Sequence, residues 1–502
     1  MTPIPPLIQT DYYKQGHYSM YPRGTTKVYS NLTPRKSRMK GVNHVVVFGN
    51  RYWIAEYVIK QWNEGFFSRS WDEVSLPYQQ MMDATLGPGA VTLAHIKELH
   101  DLGYMPLEIK GLPEGTLCPI RIPALTITNT VDHAYWLVNF LETILSCTVW
   151  QPYTSATIAR EYLKIFRAYA METVGNTSFC QWQGHDFSMR GMSSLQSACT
   201  SGAGHLAAGF TGTDTVPALQ FLKAYYGADW TKELVGASVR ATEHAVMMFG
   251  QKDGELATFE QLIDNTPDDA IISIVSDTWS LPYVLTNILP ALKTKIALRK
   301  GKVVIRPDSF WTDPVDCLTG FDGYHPQMDK LTAIEKVSVR KGVVESLWDL
   351  FGGTVSPKGY KQLASCIGTI YGDAVSLDRA ERTCLRLKDK GFASTNWVAG
   401  IGSYTYQYNT RDTFGFAVKA TYGIVNGQAR EIFKDPVTDD GMKKSAKGLL
   451  QVIRGADGAL TLRDCVTPEE EKDSALHLLF RNGVEYNVPT LAEIRARITA
   501  AL

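Results

Sequence analysis

The sequence lacks several features that would tie it to a particular partner. Its 51 Lys+Arg balance 51 Asp+Glu, so no overall charge favours nucleic acid or an anionic membrane surface. No apolar run approaches the ~18 residues of a membrane span. Residues 1–9 contain proline but no basic stretch followed by an apolar one, so we expect no signal peptide. Any anionic ligand must therefore be held by a local cluster of cations.

The cysteines also lack the spacing of a metal or disulfide framework. There are eight, with no Cys-x-x-Cys pair, and several lie inside apolar runs. We expect reduced, buried thiols and a cytoplasmic location, because disulfides are rare in that compartment. Repeats of fixed period and low-complexity segments are absent as well.

What remains is an ordinary globular composition, with 502 residues of which 44% are hydrophobic. That length predicts two or three domains with a large core. Residues 25–32, 107–110 and 118–130 alternate between apolar and polar positions, as antiparallel strands do. Amphipathic helices are predicted over 132–147 and 154–174. We expect residues 1–150 to form a mixed α/β sheet domain.

The pattern changes after residue 150. Four apolar strands, predicted at 271–277, 302–305, 367–371 and 396–399, each finish on Asp, Arg, Gly or Ser before a helix or loop. This favours an α/β fold with an irregular β/α barrel over 151–403, whose site would lie at the strands' carboxyl ends. A doubly wound open sheet is the alternative. Residues 404–502 alternate again, and we expect them to return to the first domain's sheet.

Residues 184–194 are predicted to form a polar turn bracketed by glycines, which sets Phe187 and Arg190 three positions apart just before an Ala/Ser/Gly-rich helix. An aromatic face beside a guanidinium suits a small aromatic substrate or a phosphate. The simpler interpretation is an exposed loop with a surface arginine.

Three carboxylates share one predicted position, because Asp277, Asp308 and Asp373 each follow a strand. In a parallel sheet they would converge and hold ribose hydroxyls or Mg²⁺. Each taken alone is more simply explained as a helix N-cap.

Two basic regions are candidates for phosphate binding. Gly402 and Ser403 form a small-residue turn, and Arg411 and Lys419 follow it. The basic run that includes Arg35 is either a solvated loop or half of a polyphosphate site.

His244 follows Glu243 at a predicted helix start. A neighbouring carboxylate would fix one tautomer and leave the other ring nitrogen free as a nucleophile. A structural or exposed histidine is the alternative.

Taken in order, these motifs resemble the nicotinamide phosphoribosyltransferase family of type II phosphoribosyltransferases along nearly the whole chain. The motifs that carry the resemblance are Thr10-Asp11-Tyr12-Tyr13-Lys14, His185-Asp186-Phe187 with Arg190-Gly191, Gly212-Thr213-Asp214-Thr215, Glu243-His244, Val275-Ser276-Asp277, Arg306-Pro307-Asp308-Ser309, Gly372-Asp373, Thr410-Arg411-Asp412 and Phe433-Lys434-Asp435-Pro436.

The resemblance implies a homodimer with active sites at the subunit interface. It implies transfer of phosphoribosyl from phosphoribosyl pyrophosphate to nicotinamide in NAD salvage, with Mg²⁺ required and ATP as a co-substrate. Phe187 and the partner subunit's Tyr13 would sandwich the pyridine ring, and Asp214 would accept a hydrogen bond from the carboxamide. The same resemblance implies that Asp11, Arg190, Ser238 and Arg306 surround the substrate.

By the same resemblance, Asp308, Gly372 and Asp373 hold the ribose, with Asp308 and Asp373 also binding the metal. The phosphates fall to Arg35, Gly402, Ser403, Arg411, Lys419 and Lys434. His244 is the residue phosphorylated by ATP, with Glu243, Asp277 and Asp308 as further catalytic groups.

Two alternatives remain at this point. Nicotinate phosphoribosyltransferase is disfavoured because the carboxylate of Asp214 would repel the carboxylate of nicotinate. A catalytically silent nucleotide-binding or secreted signalling homologue is disfavoured because Arg190, His244, Asp308, Asp373 and Arg411 are all present.

Overall fold

The computed structural model describes residues 4–372, 374–434 and 445–502. The chain divides into two compact units. The first comprises Met1–Thr157, Phe221–Ala228 and Asn409–Ala501, and the second comprises Ile158–Gln220, Asp229–Tyr408 and Leu502. Within the described ranges, no helix is both long and apolar enough to cross a membrane.

The first unit is built on a seven-stranded antiparallel sheet that combines segments from both ends of the chain. Leu32 is opposite Leu125 on one side and Val418 on the other, so an N-terminal strand lies between an early strand and a C-terminal one. The strands, in spatial order, are Gln428–Glu431, Phe416–Val425, Thr25–Pro34, Leu125–Asn129, Leu107–Gly111, His477–Arg481 and Val484–Glu485.

Strand alternation and aromatic packing give this unit its core. Along Leu107–Gly111 every second residue is buried, as expected for a strand with one face on the core. Trp53, Trp62 and Phe66 are buried in the same cluster. The other elements of this unit are Tyr12–Gln15, His17–Met20, His44–Val46, Asn50–Trp53, Trp71–Leu86, Ala94–Leu102, Leu117–Pro119, Leu137–Phe140, Leu449–Arg454, Leu460–Val466, Pro468–Lys472 and Leu491–Ala500.

One helix is longer than the sequence pattern predicts. Two helices were expected, over 132–147 and 154–174, but residues 142–173 form a single helix with Pro152 inside it. Leu145, Val149 and Tyr153 are all buried. Burial of this apolar stripe outweighs the backbone hydrogen bond that proline removes.

The second unit contains a seven-stranded parallel sheet, so the predicted α/β class with a barrel-like parallel sheet is confirmed. Gly212 in one edge strand forms a parallel bridge with Ala237, three residues before the opposite edge strand, so the sheet curls round on itself. The strands, in spatial order, are Gly212–Thr213, Gly184–Asp186, Trp397–Ile401, Ile367–Tyr371, Val303–Arg306, Ile272–Val275 and Arg240–Ala241.

Helices begin soon after most of these strands, commonly with a side-chain cap. Ser194 accepts from the backbone N–H of Ser197 and Ser376 from that of Arg379, at 3.0 and 3.3 Å. The helices and minor strands of this unit are Cys180–Gln183, Leu195–Ala207, His244–Phe249, Glu255–Asp264, Leu281–Tyr283, Leu289–Ala297, Pro314–Thr319, Ala333–Phe351, Gly353–Val355, Lys361–Leu363, Leu377–Asp389 and Ser403–Tyr406. The helix Pro217–Tyr226 begins in this unit and ends in the first.

Two expectations from the sequence are corrected. Gly184–Asp186 is a strand of the parallel sheet and not part of a turn, because a strand of three residues gives too short a pattern to identify. All eight cysteines are free, but Cys147 and Cys465 are exposed and Cys199 is half-buried, so the thiols are not uniformly buried.

Candidate active site

The parallel register brings several predicted residues to one end of the second unit's sheet. Asp186 is opposite Ile401 on one side and Thr213 on the other, and Arg306 is opposite Val275. Phe187, Asp214 and Asp277 follow directly or within two residues of those positions. The carboxyl ends of parallel strands meet at one edge, which is where such sheets place their sites.

Phe187 lies against a buried arginine. The Arg306 guanidinium carbon is 5.9 Å from the Phe187 ring centroid, and the Phe187 backbone N–H donates to the carbonyl of Ile401 at 2.9 Å. A Cβ at Gly400 would lie 2.8 Å from Cδ2 of Phe187, so glycine is needed for the ring to take this position. The strands thus hold one aromatic face beside one cation.

Asp214 presents a carboxylate to His185, whose ring lies 4.6 Å from that of Phe187. Its Oδ1 lies 2.9 Å from Nε2 of His185 and accepts from the Ser238 hydroxyl at 2.5 Å. Burial alone would raise the pKa of Asp214, but the hydrogen bond and charge of His185, with Ser238 and Arg306, hold that pKa below its usual value. The group is therefore an anionic hydrogen-bond acceptor at neutral pH.

Asp277 connects the predicted catalytic histidine to the next strand end. Its Oδ2 accepts from the Asp308 backbone N–H at 3.1 Å and from the Ser309 hydroxyl at 2.6 Å. Its Oδ1 lies 3.4 Å from Nε2 of His244. The Asp277 carboxylate is buried, whereas the His244 side chain is 44% exposed. Asp277 can therefore orient an imidazole that stays open to a ligand.

The carboxylate beside His244 differs from the one expected. Glu243 precedes the helix His244–Phe249 without a side-chain cap, and among the described residues no ion pair joins it to His244. The carboxylate nearest the His244 ring is that of Asp277, at 3.4 Å and without a hydrogen bond, because side chains of consecutive residues at a helix start diverge.

Asp308 and Gly372 are packed against each other. A Cβ at Gly372 would lie 1.8 Å from Oδ1 of Asp308, and the Gly372 backbone N–H donates to the carbonyl of Pro307 at 3.1 Å. Arg306 Nε lies 3.5 Å from the same Asp308 oxygen. Asp373, predicted to share the ribose and metal with Asp308, lies outside the described residues. In the described part of the chain, no group of three or more His, Cys, Asp or Glu is placed to hold a metal.

The segment after Phe187 packs on the predicted phosphate turn. A Cβ at Gly191 would lie 2.0 Å from Oγ of Ser403, and the Ser193 backbone N–H donates to Oε1 of Gln407 at 3.0 Å. Nothing lies within 4 Å of where a Cβ at Gly402 would be, so that backbone is open to an approaching group. Arg190, which belongs to the segment that packs on this turn, is exposed.

The predicted basic residues of the first unit form a cluster of their own. Lys419 pairs with Asn31 in the sheet, and Arg35 Nε donates to the carbonyl of Gly415 at 3.1 Å. Burial lowers the pKa of Lys419, and the positive charges of Arg35, Lys434 and Arg411 lower it further, against a partial offset from Glu142. Three of the predicted phosphate-binding cations therefore lie close enough to Lys419 to repel its charge.

The N-terminal motif lies at the start of a short helix in the first unit. Asp11 accepts from the Thr143 hydroxyl at 2.6 Å. The Tyr13 side chain is 62% exposed, with its ring edge-on to His17 at 5.2 Å. A large exposed aromatic of this kind is available to a ligand or a second subunit.

Several residues that shape the site were not among the predicted site residues. Asp186 is fully buried, and its Oδ1 accepts from the Ser188 backbone N–H at 2.9 Å. His205 is also buried, between the Tyr406 hydroxyl at 2.7 Å and the Gly212 carbonyl at 3.0 Å. Alternation along a strand would have placed His185 on the same face as Phe187, and their rings are 4.6 Å apart. No local pattern distinguishes His205.

Comparisons with known proteins give consistent results. A sequence profile described as the nicotinate phosphoribosyltransferase (NAPRTase) family matches residues 182–483, and one described as the nicotinamide phosphoribosyltransferase N-terminal domain matches residues 6–66. A nicotinamide phosphoribosyltransferase from Acinetobacter baylyi is 47% identical over 99% of this chain and 98% of its own length. One from Mycoplasma pneumoniae is 35% identical over 86% and 92%.

Solved structures share the fold at low sequence identity. A nicotinate-nucleotide pyrophosphorylase from Pyrococcus furiosus matches with a TM-score of 0.57 and 13% identity, over 99% of this chain and 95% of that one. Human nicotinic acid phosphoribosyltransferase matches with a TM-score of 0.55 and 16% identity, over 98% and 93%. These two matches establish the architecture alone.

Proposed function

The chain belongs to the nicotinate phosphoribosyltransferase family, and we propose that this member transfers the phosphoribosyl group of phosphoribosyl pyrophosphate to nicotinamide. The products are nicotinamide mononucleotide and diphosphate, and the reaction serves NAD salvage. Its curated relatives at 47% and 35% identity carry the name nicotinamide phosphoribosyltransferase, which favours the amide as substrate.

The observation that carries the choice of substrate is the Asp214 carboxylate, which is bound by His185, whose own ring lies 4.6 Å from that of Phe187. An anionic acceptor attracts the N–H of a carboxamide and repels the carboxylate of nicotinate. Asp214 Oδ1 is already occupied by His185 and Ser238, so Oδ2 is the oxygen available to the amide. Phe187 supplies one stacking face for the pyridine, worth about 0.5–1.5 kcal/mol beyond burial.

The second face of the pyridine belongs, in this proposal, to Tyr13 of the partner subunit in a homodimer. Tyr13 and Asp11 lie on the N-terminal helix, where the Tyr13 ring is largely exposed. The phosphates would be bound by the cation cluster of Arg35, Arg411, Lys419 and Lys434. Burial removes water from the Lys419 ammonium, and a bound phosphate would replace that water with charged hydrogen bonds.

Asp308, in this proposal, acts on the ribose. Its carboxylate lies against Gly372, and the backbone N–H of Asp308 donates to the Asp277 carboxylate. A nearby carboxylate stabilises the oxocarbenium-like ribose as the C–O bond to diphosphate breaks. Asp308 also fits Mg²⁺, which binds through one or two carboxylates plus substrate phosphates, and the bound ion would neutralise the departing diphosphate. Asp373 is proposed to share both roles.

His244 is proposed to couple ATP hydrolysis to the transfer. Asp277 faces Nε2 at 3.4 Å, which leaves Nδ1 as the nucleophile for the γ-phosphorus of ATP. The N–P bond forms as the bond to ADP breaks, and the resulting phosphohistidine adds charge at the strand ends.

The same proposal places the enzyme in the cytoplasm.

The test is product formation from labelled nicotinamide and phosphoribosyl pyrophosphate with Mg²⁺, with and without ATP. Nicotinamide should be converted with a higher kcat/KM than nicotinate, and ATP should increase the yield. Exclusive use of nicotinate would indicate a nicotinate phosphoribosyltransferase. Absence of product from either base would indicate a silent homologue.

A further inference from the structure

The Asp214 carboxylate is held from one side only. His185 Nε2 and the Ser238 hydroxyl both bind Oδ1, at 2.9 and 2.5 Å. Within the described ranges, none of the hydrogen bonds formed by this side chain reaches Oδ2. The Asp214 side chain is 43% exposed, whereas that of His185 is 12% exposed. One oxygen is therefore fixed by the protein and the other is presented outward.

The orientation of the His185 ring is set by the sheet and by a glycine. His185 is opposite Gly212 in the parallel pair of strands, two residues before Asp214. A Cβ at Gly212 would lie 2.7 Å from Nδ1 of His185, so any other residue there would displace the ring. The Phe187 ring packs on its other side, with the planes tilted by 42°. The imidazole is thus locked with Nε2 toward Asp214.

We propose that His185 is the positioning residue that sets the preference of this enzyme for a neutral carboxamide over a carboxylate on the pyridine ring. By donating from Nε2 to Oδ1, it keeps the Asp214 carboxylate ionised and turned so that Oδ2 accepts the amide N–H. This role rests on the proposed function, because it acts through Asp214 and touches no reacting atom.

The physical basis is geometric as well as electrostatic. Without the imidazole, Asp214 retains only Ser238 on Oδ1 and rotates about its side-chain bonds, so Oδ2 no longer points at one place. A mispositioned acceptor weakens the amide bond, and it also reduces the directed repulsion of a substrate carboxylate. The two substrates should therefore respond in opposite directions.

The experiment compares kcat and KM for nicotinamide and nicotinate in the full-length wild type, His185→Leu and His185→Gln. For His185→Leu we expect the nicotinamide-to-nicotinate ratio of kcat/KM to fall by about 10- to 100-fold, as expected for loss of one hydrogen bond to a charged group. The change should lie in KM, with kcat for nicotinamide within about threefold. Glutamine carries an N–H donor at a similar reach and should restore most of the ratio.

A control separates selectivity from loosening of the fold. Thr173 is a buried residue of the same unit whose hydroxyl donates to the Tyr169 carbonyl at 2.7 Å and accepts from the Ser394 backbone N–H at 3.1 Å, and neither partner is a predicted substrate group. Thr173→Val should lower the melting temperature and leave the substrate ratio unchanged. If His185→Leu fails to fold, His185→Asn provides the same test, because its shorter side chain cannot reach Asp214.

The outcomes distinguish this inference from the proposed function. A wild type that makes no nucleotide from nicotinamide refutes the proposed function. If wild type is selective for nicotinamide but the ratio is unchanged in His185→Leu or His185→Asn, His185 does not set the preference. An equal loss of kcat/KM for both substrates, without rescue by glutamine, would also overturn the proposal and leave a structural role.

Discussion

Substituting Gly372 with alanine should disable the site by displacing a single carboxylate. The added Cβ would lie 1.8 Å from Oδ1 and 2.8 Å from Cγ of Asp308, well inside any tolerated contact. The backbone of Gly372 is outside the left-handed region, so alanine adds no conformational strain of its own. The whole effect must come from moving Asp308 or the chain around it.

The magnitude follows from the distance. Relief of the overlap needs a shift of roughly 1.5 Å, and a misplacement of about 1 Å in a catalytic group costs about 100-fold in rate. Overpacking of this kind also costs about 1–3 kcal/mol in the free energy of unfolding. We therefore expect kcat/KM for phosphoribosyl pyrophosphate to fall by about 100-fold, with a lowered melting temperature.

Gly402→Ala is the matched control. Nothing lies within 4 Å of its Cβ position, so the melting temperature should not fall. If the turn binds phosphate as proposed, this variant should raise KM for phosphoribosyl pyrophosphate with its fold intact. The assay is steady-state kinetics beside calorimetry. Activity of Gly372→Ala within threefold of wild type would refute the role given to Asp308.

Three further predictions concern other groups. In Asp214→Asn the amide oxygen should accept the hydrogen bonds of His185 and Ser238, which turns the NH₂ group toward the substrate. The nicotinamide-to-nicotinate ratio of kcat/KM should therefore fall by about 100-fold or more. A ratio within threefold of wild type would contradict this. His244→Ala should keep slow basal transfer and lose ATP stimulation, and Asp277→Asn should reduce that stimulation; equal stimulation in all three proteins would exclude the phosphohistidine. Burial lowers the pKa of His205 to about 4 from 6.5, so its contribution is complete above pH 6.5 and is lost as pH falls toward 4. Urea unfolding of His205→Gln should lose less stability between pH 6.5 and 4, by up to about 3 kcal/mol, and parallel profiles would contradict this.

The second unit's sheet was largely predictable from the sequence because polar residues lie at the ends of its apolar strands. The strands Ile272–Val275, Val303–Arg306 and Ile367–Tyr371 are largely apolar runs, and burial on both faces makes such runs easy to identify. The strands Gly184–Asp186 and Gly212–Thr213 were missed because they are short and polar. Their strand character comes from pairing with distant segments, which no local pattern reveals.

The site was less accessible to prediction than the fold. Asp214 was identified through family resemblance, but its two hydrogen-bond donors lie 29 and 24 residues away along the chain. For the same reason the carboxylate nearest His244 is that of Asp277 and not that of Glu243, since spatial neighbours need not be sequence neighbours.

The most direct test of the central claim is the ratio of kcat/KM for nicotinamide and nicotinate, measured with the purified wild-type chain, phosphoribosyl pyrophosphate and Mg²⁺. An anionic acceptor next to a stacking ring predicts a preference for nicotinamide of at least about 100-fold. Equal use of both bases, or a preference for nicotinate, would contradict the account.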